Sequence, residues 1–233
     1  MAILEVCCTD ERSVMAAQDG GAQRVELCAD IEADGLTPSD ELIRMALATG
    51  IRVHVLVRPR AGNFIYNVRE GDEIVDSIRR AVALGAHGVV VGALTAEGDV
   101  DVPLCQRCLE TAGEASVTFH RAFDVCRDPL SAFDTIASLG FDRLLTSGHE
   151  AKAEQGVALI RQLVERSHAL ASAATSRLTV MPGSGVSSKN ARSILEATGA
   201  TEIHGTFRER VDGQLMTTAE EVRNTILQIL KPN

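Results

Sequence analysis

Basic residues are in short supply: 23 lysines and arginines face 32 acids, leaving a formal net charge of -9. A nucleic-acid binder normally carries a basic face, so that class is set aside. No apolar run reaches the length of about 18 residues that a membrane span needs. The opening "MAILEVCCTDERS" lacks a basic leader followed by a long apolar stretch, so no signal peptide is expected. Without an export signal, the six cysteines read as free thiols in a reducing cytoplasm. Neither a GxGxxG nor a P-loop follows the first apolar strand, which weakens a nucleotide-binding open sheet. What remains is ordinary globular usage, 45% hydrophobic and 24% charged, enough for one sizeable core in 233 residues.

One unit recurs along the chain: a helical stretch, a glycine, then a short apolar strand. Gly21, Gly50, Gly85, Gly113 and Gly140 follow one another at intervals of 27 to 35 residues, and Gly199 comes about two units later. Eight strands result, near Ile3–Cys7, Arg24–Cys28, Arg52–Arg58, Gly88–Val91, Ser116–His120, Arg143–Thr146, Arg177–Met181 and Glu202–Gly205. Amphipathic stretches separate them, with Ile74, Ile78 and Val82 on one helical face. Pro38, Pro103 and Pro129 stand near helix starts, where a missing N–H costs nothing. Eight alternating βα units predict an α/β fold, a single (β/α)8 TIM-like barrel covering residues 1–233. A doubly wound open sheet is the alternative.

Strand alternation then decides what points inward. In "RVHVLVR" the valines face the helices, which turns His54, Leu56 and Arg58 toward the axis. The same logic turns in Glu5 and Cys7, Glu26 and Cys28, Thr118 and His120, and Glu202 and His204. Barrel interiors usually hold branched aliphatics, so this lumen is unusually polar. Buried ions need partners, either one another or a ligand. His54 and Glu202 come early in their strands, where residues serve stability. Glu26, Arg58, His120 and His204 come late, where barrel active sites are built. In "VTFHRAFD", Arg121 and Asp124 fall in the loop after His120, either paired with each other or holding a ligand.

The loops add anion-binding candidates. "MPGSGV" places Gly183, Ser184 and Gly185 after strand seven, where backbone amides often hold phosphate in such barrels. Thr146 and Ser147 of "TSGHE" offer hydroxyl donors, and Arg58 with Arg60 could grip a carboxylate or phosphate bidentately. Cys7 and Cys28 occupy equivalent places on neighbouring strands, so a soft dithiol site for Cu(I) or zinc stands beside plain core packing. Cys105 and Cys108 of "CQRC" fall within a helix without a second pair, and the sequence assigns no role to them or to Cys126.

The motifs "LEVCCTD", "GAQRVELCA", "GLTPS", "VTFHRAFD", "LTSG", "MPGSGV" and "EIHGT" together resemble the CutC family, from residue 3 to about 207. The resemblance implies a cytosolic TIM-like barrel, homo-oligomeric as a dimer or tetramer, with a copper homeostasis role. It also implies Cu(I) binding by Cys7 and Cys28. This chain departs from the family pattern in the third loop, where "RAGNF" has Ala61 and Asn63 in place of a glycine and an aspartate. The stretch after "EIHGTFRE" reads as short.

Two functions of different class follow. One is a copper-homeostasis protein with a copper ion on Cys7 and Cys28. The other is an isomerase, epimerase or lyase on a small anionic or phosphorylated metabolite. There His120 would be the general acid/base, supported by Glu26 and Arg58. Glu5, Arg60, Arg121, Asp124, Thr146, Ser147, Gly183, Ser184, Gly185 and His204 would form the ligand shell. Neither reading requires an organic cofactor. A barrel acting only as a scaffold fits poorly with so polar a lumen.

Overall fold

The computed structural model describes residues 2–173 and 178–230. Its elements run β1 (Ile3–Cys8), α1 (Glu11–Gly20), β2 (Arg24–Leu27), α2 (Asp40–Ala48), β3 (Arg52–Leu56) and α3 (Val68–Ala83). They continue with β4 (Gly88–Val91), α4 (Val102–Ala112), β5 (Ser116–Phe119), α5 (Pro129–Leu139), β6 (Arg143–Thr146) and α6 (Val157–Ser172). The chain closes with β7 (Thr179–Pro182), α7 (Ala191–Thr198), β8 (Glu202–Gly205), β9 (Arg208–Val211), β10 (Gln214–Thr217) and α8 (Ala219–Leu230). Local signals account for the helix limits. Asp10 and Ser13 form a reciprocal capping box on α1, and Asn67 and Glu70 form another on α3. Pro103 and Pro129 occupy the first turns of α4 and α5. Gly21 and Gly140 end α1 and α5 in the left-handed region, at φ 91° and 92°, which a β-carbon would strain.

Eight parallel strands follow in the order β7-β6-β5-β4-β3-β2-β1-β8, a nearly closed TIM-like barrel. The first and last strands meet, with Ile3 beside Glu202 and Glu5 beside His204. Among the described residues, β7 and β8 lie side by side without a hydrogen-bonded ladder. The main apolar core lies between strands and helices, where Val53, Val55, Phe119, Leu144 and Ile203 meet Ile78, Phe133 and Ile160. The side chains facing the axis include Glu5, Arg24, Glu26, His54, Thr118, Glu202 and His204, all buried.

Strand seven begins at Thr179, and its expected start, Arg177, lies outside the described residues. Between β8 and α8, β9 and β10 form an antiparallel hairpin. Asp212 and Gly213 make its turn, with φ 49° and 84°.

Candidate functional site

Ions close the lower part of the barrel. Arg24 donates through Nε to the Glu5 carboxylate and through Nη2 to Glu202. Arg143 donates through Nε to Glu202 at 2.8 Å and through Nη1 to Ser116. Glu5 is fully buried, and its other oxygen lies 2.8 Å from Nδ1 of His204. Burial alone would raise the Glu5 pKa, but the Arg24 guanidinium and the His204 contact hold it well below the usual carboxylate range. His204 moves the other way. Burial opposes its charge, yet the Glu26 and Glu5 carboxylates raise it above an ordinary imidazole. Burial also raises Glu26, against the pull of His204. Just above this network His54 has no partner for Nδ1, and burial pushes it down to about 3. At 3.9 Å from Glu5, this neutral ring makes no ion pair.

Above these groups opens a cavity of about 570 Å³. Its wall includes Cys7, Glu26, Cys28, Arg58, Phe64, His120, Arg121, Asp124 and His204, with Ser184 and Gly185 at one side. His120 ends β5 and caps the short 3-10 turn Arg121–Val125, its Nδ1 accepting from the Ala122 N–H at 3.1 Å. That bond leaves the proton of the neutral ring on Nε2, which is buried and has no acceptor. Burial and the nearby Arg58 push His120 down to about 3. With Nδ1 accepting from Ala122, the neutral ring has a hydrogen-bond donor at Nε2. Gly92 makes room for the ring, since a β-carbon there would lie 2.4 Å from Nδ1.

Several residues expected in the ligand shell also hold loops. Asp124 accepts from the Ser147 N–H at 3.0 Å, the Ser147 hydroxyl at 2.9 Å, the Thr146 hydroxyl at 2.5 Å and the His149 N–H at 3.3 Å. Arg121 pairs with the same carboxylate at 2.7 Å and donates to the Ser147 hydroxyl. Thr146 and Ser147 are fully buried and do not line the cavity, nor do Glu5, Arg60 and Gly183. Gly183 lies against Leu145, and Ser184 donates its hydroxyl to the Ala151 carbonyl. Asp124→Ala orphans buried donors at about 1–3 kcal/mol each. A loss of about 3 kcal/mol in urea unfolding is expected, and a loss under about 0.5 kcal/mol would show that the loop stands without this carboxylate.

The thiols divide by place. Cys7 and Cys28 approach to 3.4 Å between sulfurs and lie with Leu56 and Val90 in a small apolar cluster inside the barrel. The Cys28 contact and burial push the Cys7 pKa well above that of a free thiol. Donor atoms of Cys7, Glu26 and His204 lie within 4.8 Å of one another. Cys105 and Cys108 are buried in the outer core on α4, and burial raises both. Cys126 lies 3.4 Å from Nε2 of His149 in the loop layer.

The model of the CutC family matches residues 2–209. The chain belongs to the CutC family. Among relatives, a CutC family protein of Bacteroides fragilis is 46% identical over 211 residues, 90% of this chain and 81% of that one. The human copper homeostasis protein cutC homolog is 41% identical over 211 residues, 90% of this chain and 75% of that protein. A crystal structure of CutC from Streptococcus agalactiae superposes with a TM-score of 0.81 at 32% identity, covering 88% and 99% of the two chains.

In this CutC chain, Arg60 organises the third loop. It pairs with Glu70 at 2.5 Å and donates to the carbonyls of Asn63 and Ile65 and to the Asn63 side chain. Arg24, Arg143 and Phe64 are members of the site that the sequence reading passed over. A signal existed for Arg24, which alternates onto the same face as Glu26.

Proposed function

We propose that the chain binds Cu(I) as cargo at the cavity floor, between Cys7 and Cys28. The observation that carries this is the 3.4 Å approach of two free thiols from neighbouring strands at the wall of an open cavity. Soft thiolate and imidazole donors suit Cu(I) better than carboxylates do. His204 is the third donor we assign: Glu5 holds its Nδ1, as outer carboxylates orient metal-bound histidines, and leaves Nε2 open. The raised Cys7 pKa does not oppose this, because a bound cation favours the thiolate and releases its proton. The name of the human relative, copper homeostasis protein cutC homolog, points the same way. Such a pair stays reduced in the cytoplasm, which is where this reading places the protein.

Competition with a chromogenic Cu(I) chelator, on the reduced protein, tests it. Cys7→Ser combined with Cys28→Ser should weaken Cu(I) by at least about 100-fold, since even outer-sphere substitutions at metal sites cost 10–100-fold. Cys105→Ala with Cys108→Ala should leave binding unchanged. Equal affinity in the wild type and the Cys7/Cys28 variant would refute the assignment.

A further inference from the structure

The cavity is far larger than a metal ion needs, and two buried donors in its wall have no acceptor. Arg58 is 4% exposed and His120 5%. Arg58 donates from Nη1 to the carbonyls of Ala33 and Gly35 and from Nη2 to that of Gly62; Nε has no partner within hydrogen-bond geometry, and the Tyr66 hydroxyl, also unpartnered, lies beside the guanidinium. Carbonyl dipoles orient this guanidinium without neutralising it. Among the described residues no carboxylate pairs with it, although Arg24, Arg60, Arg121 and Arg143 all have one. His120 presents its Nε2 proton to no acceptor either. Phe64 stands between the two, 5.1 Å from the guanidinium carbon and 4.9 Å from the imidazole centroid. A buried cation without counter-charge and a buried N–H without acceptor, one aromatic ring apart at an open cavity, are the complement of an oxyanion.

We propose that Arg58 and His120, on either side of Phe64, form a binding site for the anionic group of a small carboxylated or phosphorylated metabolite. The other charges of the wall leave this role open. Asp124 is held by Arg121 and the β6 loop, Glu26 faces His204, and Asp34 and Glu150 stand exposed at the rim. The assignment does not depend on copper. Cys7 and Cys28 belong to a different cluster of the wall, and a metal there would not supply an acceptor to Arg58.

The test uses reduced, copper-free protein at constant ionic strength, with chloride as control and inorganic phosphate and acetate as probes. Two signals are read: the thermal midpoint and the ¹⁵N-detected Nε2–H resonance of His120. A phosphate-dependent downfield move of that resonance, with a matching rise in midpoint, identifies a phosphate-bearing ligand. The same response to acetate alone identifies a carboxylate. In either case Arg58→Met should weaken the anion at least tenfold. His120→Phe, which leaves the carbonyl contacts of Arg58 in place, should weaken it severalfold and keeps the test open if Arg58→Met fails to fold. No response to either anion, or affinity retained in His120→Phe and in any folded Arg58→Met, would overturn the proposal.

Discussion

Arg24→Met is expected to lower the thermal midpoint by about 6–20 °C. Among the described residues Arg24 is the one cation paired with both Glu5 and Glu202, and both carboxylates are more than nine-tenths buried. Removing one partner of a buried ion cluster leaves uncompensated charge and costs about 3–5 kcal/mol. For a chain of this length each kcal/mol moves the midpoint by about 2–4 °C. Arg143 remains to Glu202 and His204 to Glu5, so collapse is not complete. Adding Glu5→Gln and Glu202→Gln to Arg24→Met should recover part of the loss, because neutral amides are cheaper to bury. A calorimetric scan at pH 7.5 decides it: a drop below about 2 °C for the single variant would mean that the ions contribute nothing net.

Acidification below pH 6.5 should destabilise the barrel. His54 and His120 are both held near pKa 3 in the folded protein, against 6.5 for a free imidazole. Between those values the unfolded chain binds two protons that the native protein refuses. Stability therefore falls as pH falls from 6.5, by up to about 1.4 kcal/mol per pH unit for each ring. Glu5, depressed when folded, adds to the loss below its ordinary value of 4.5. His204 has the opposite sign: its raised pKa contributes stability below 6.5 that fades as pH rises through its folded value. It therefore cannot offset the acid loss. Urea unfolding from pH 7 to pH 4 is the measurement, and His120→Phe should remove one proton from the slope. Constant stability between pH 6.5 and 4.5 would contradict the neutral state of both rings.

The repeated glycines and the alternation of "RVHVLVR" were enough to place eight strands and to turn His54, Leu56 and Arg58 inward, because both follow from local chain geometry. Depth along the axis was legible only in part: Glu26, Arg58, His120 and His204, late in their strands, line the cavity, and His54 and Glu202, early in theirs, do not. Glu5 and Glu26 come from adjacent strands with the same alternation, yet Glu5 joins the lower ions and Glu26 the cavity wall. Barrel stagger sets that difference, and no single strand contains it. Arg24 and Arg52 both open a strand and are paired in register, but only Arg24 is buried. Asp124 could be read as a partner of Arg121, while its hold on the β6 loop depends on a contact across 23 residues. The β9–β10 hairpin did leave a mark, the Asp-Gly pair between two alternating stretches.

The contact between Glu5 and His204 joins residues 199 positions apart. Glu202 likewise meets Arg24 across 178 positions and Arg143 across 59. The first two strands thus emerge carrying charges whose counterparts are the last to be synthesised. A nascent or truncated chain ending before β8 would hold Glu5 beside Arg24 with half of its partners missing. Closing the ring is then what makes the buried ions tolerable, and a search over such long sequence separations is slow. β8 acts as a latch on the order of assembly: early pieces gain little from compaction until it arrives, which favours one concerted folding step over stable half-barrels.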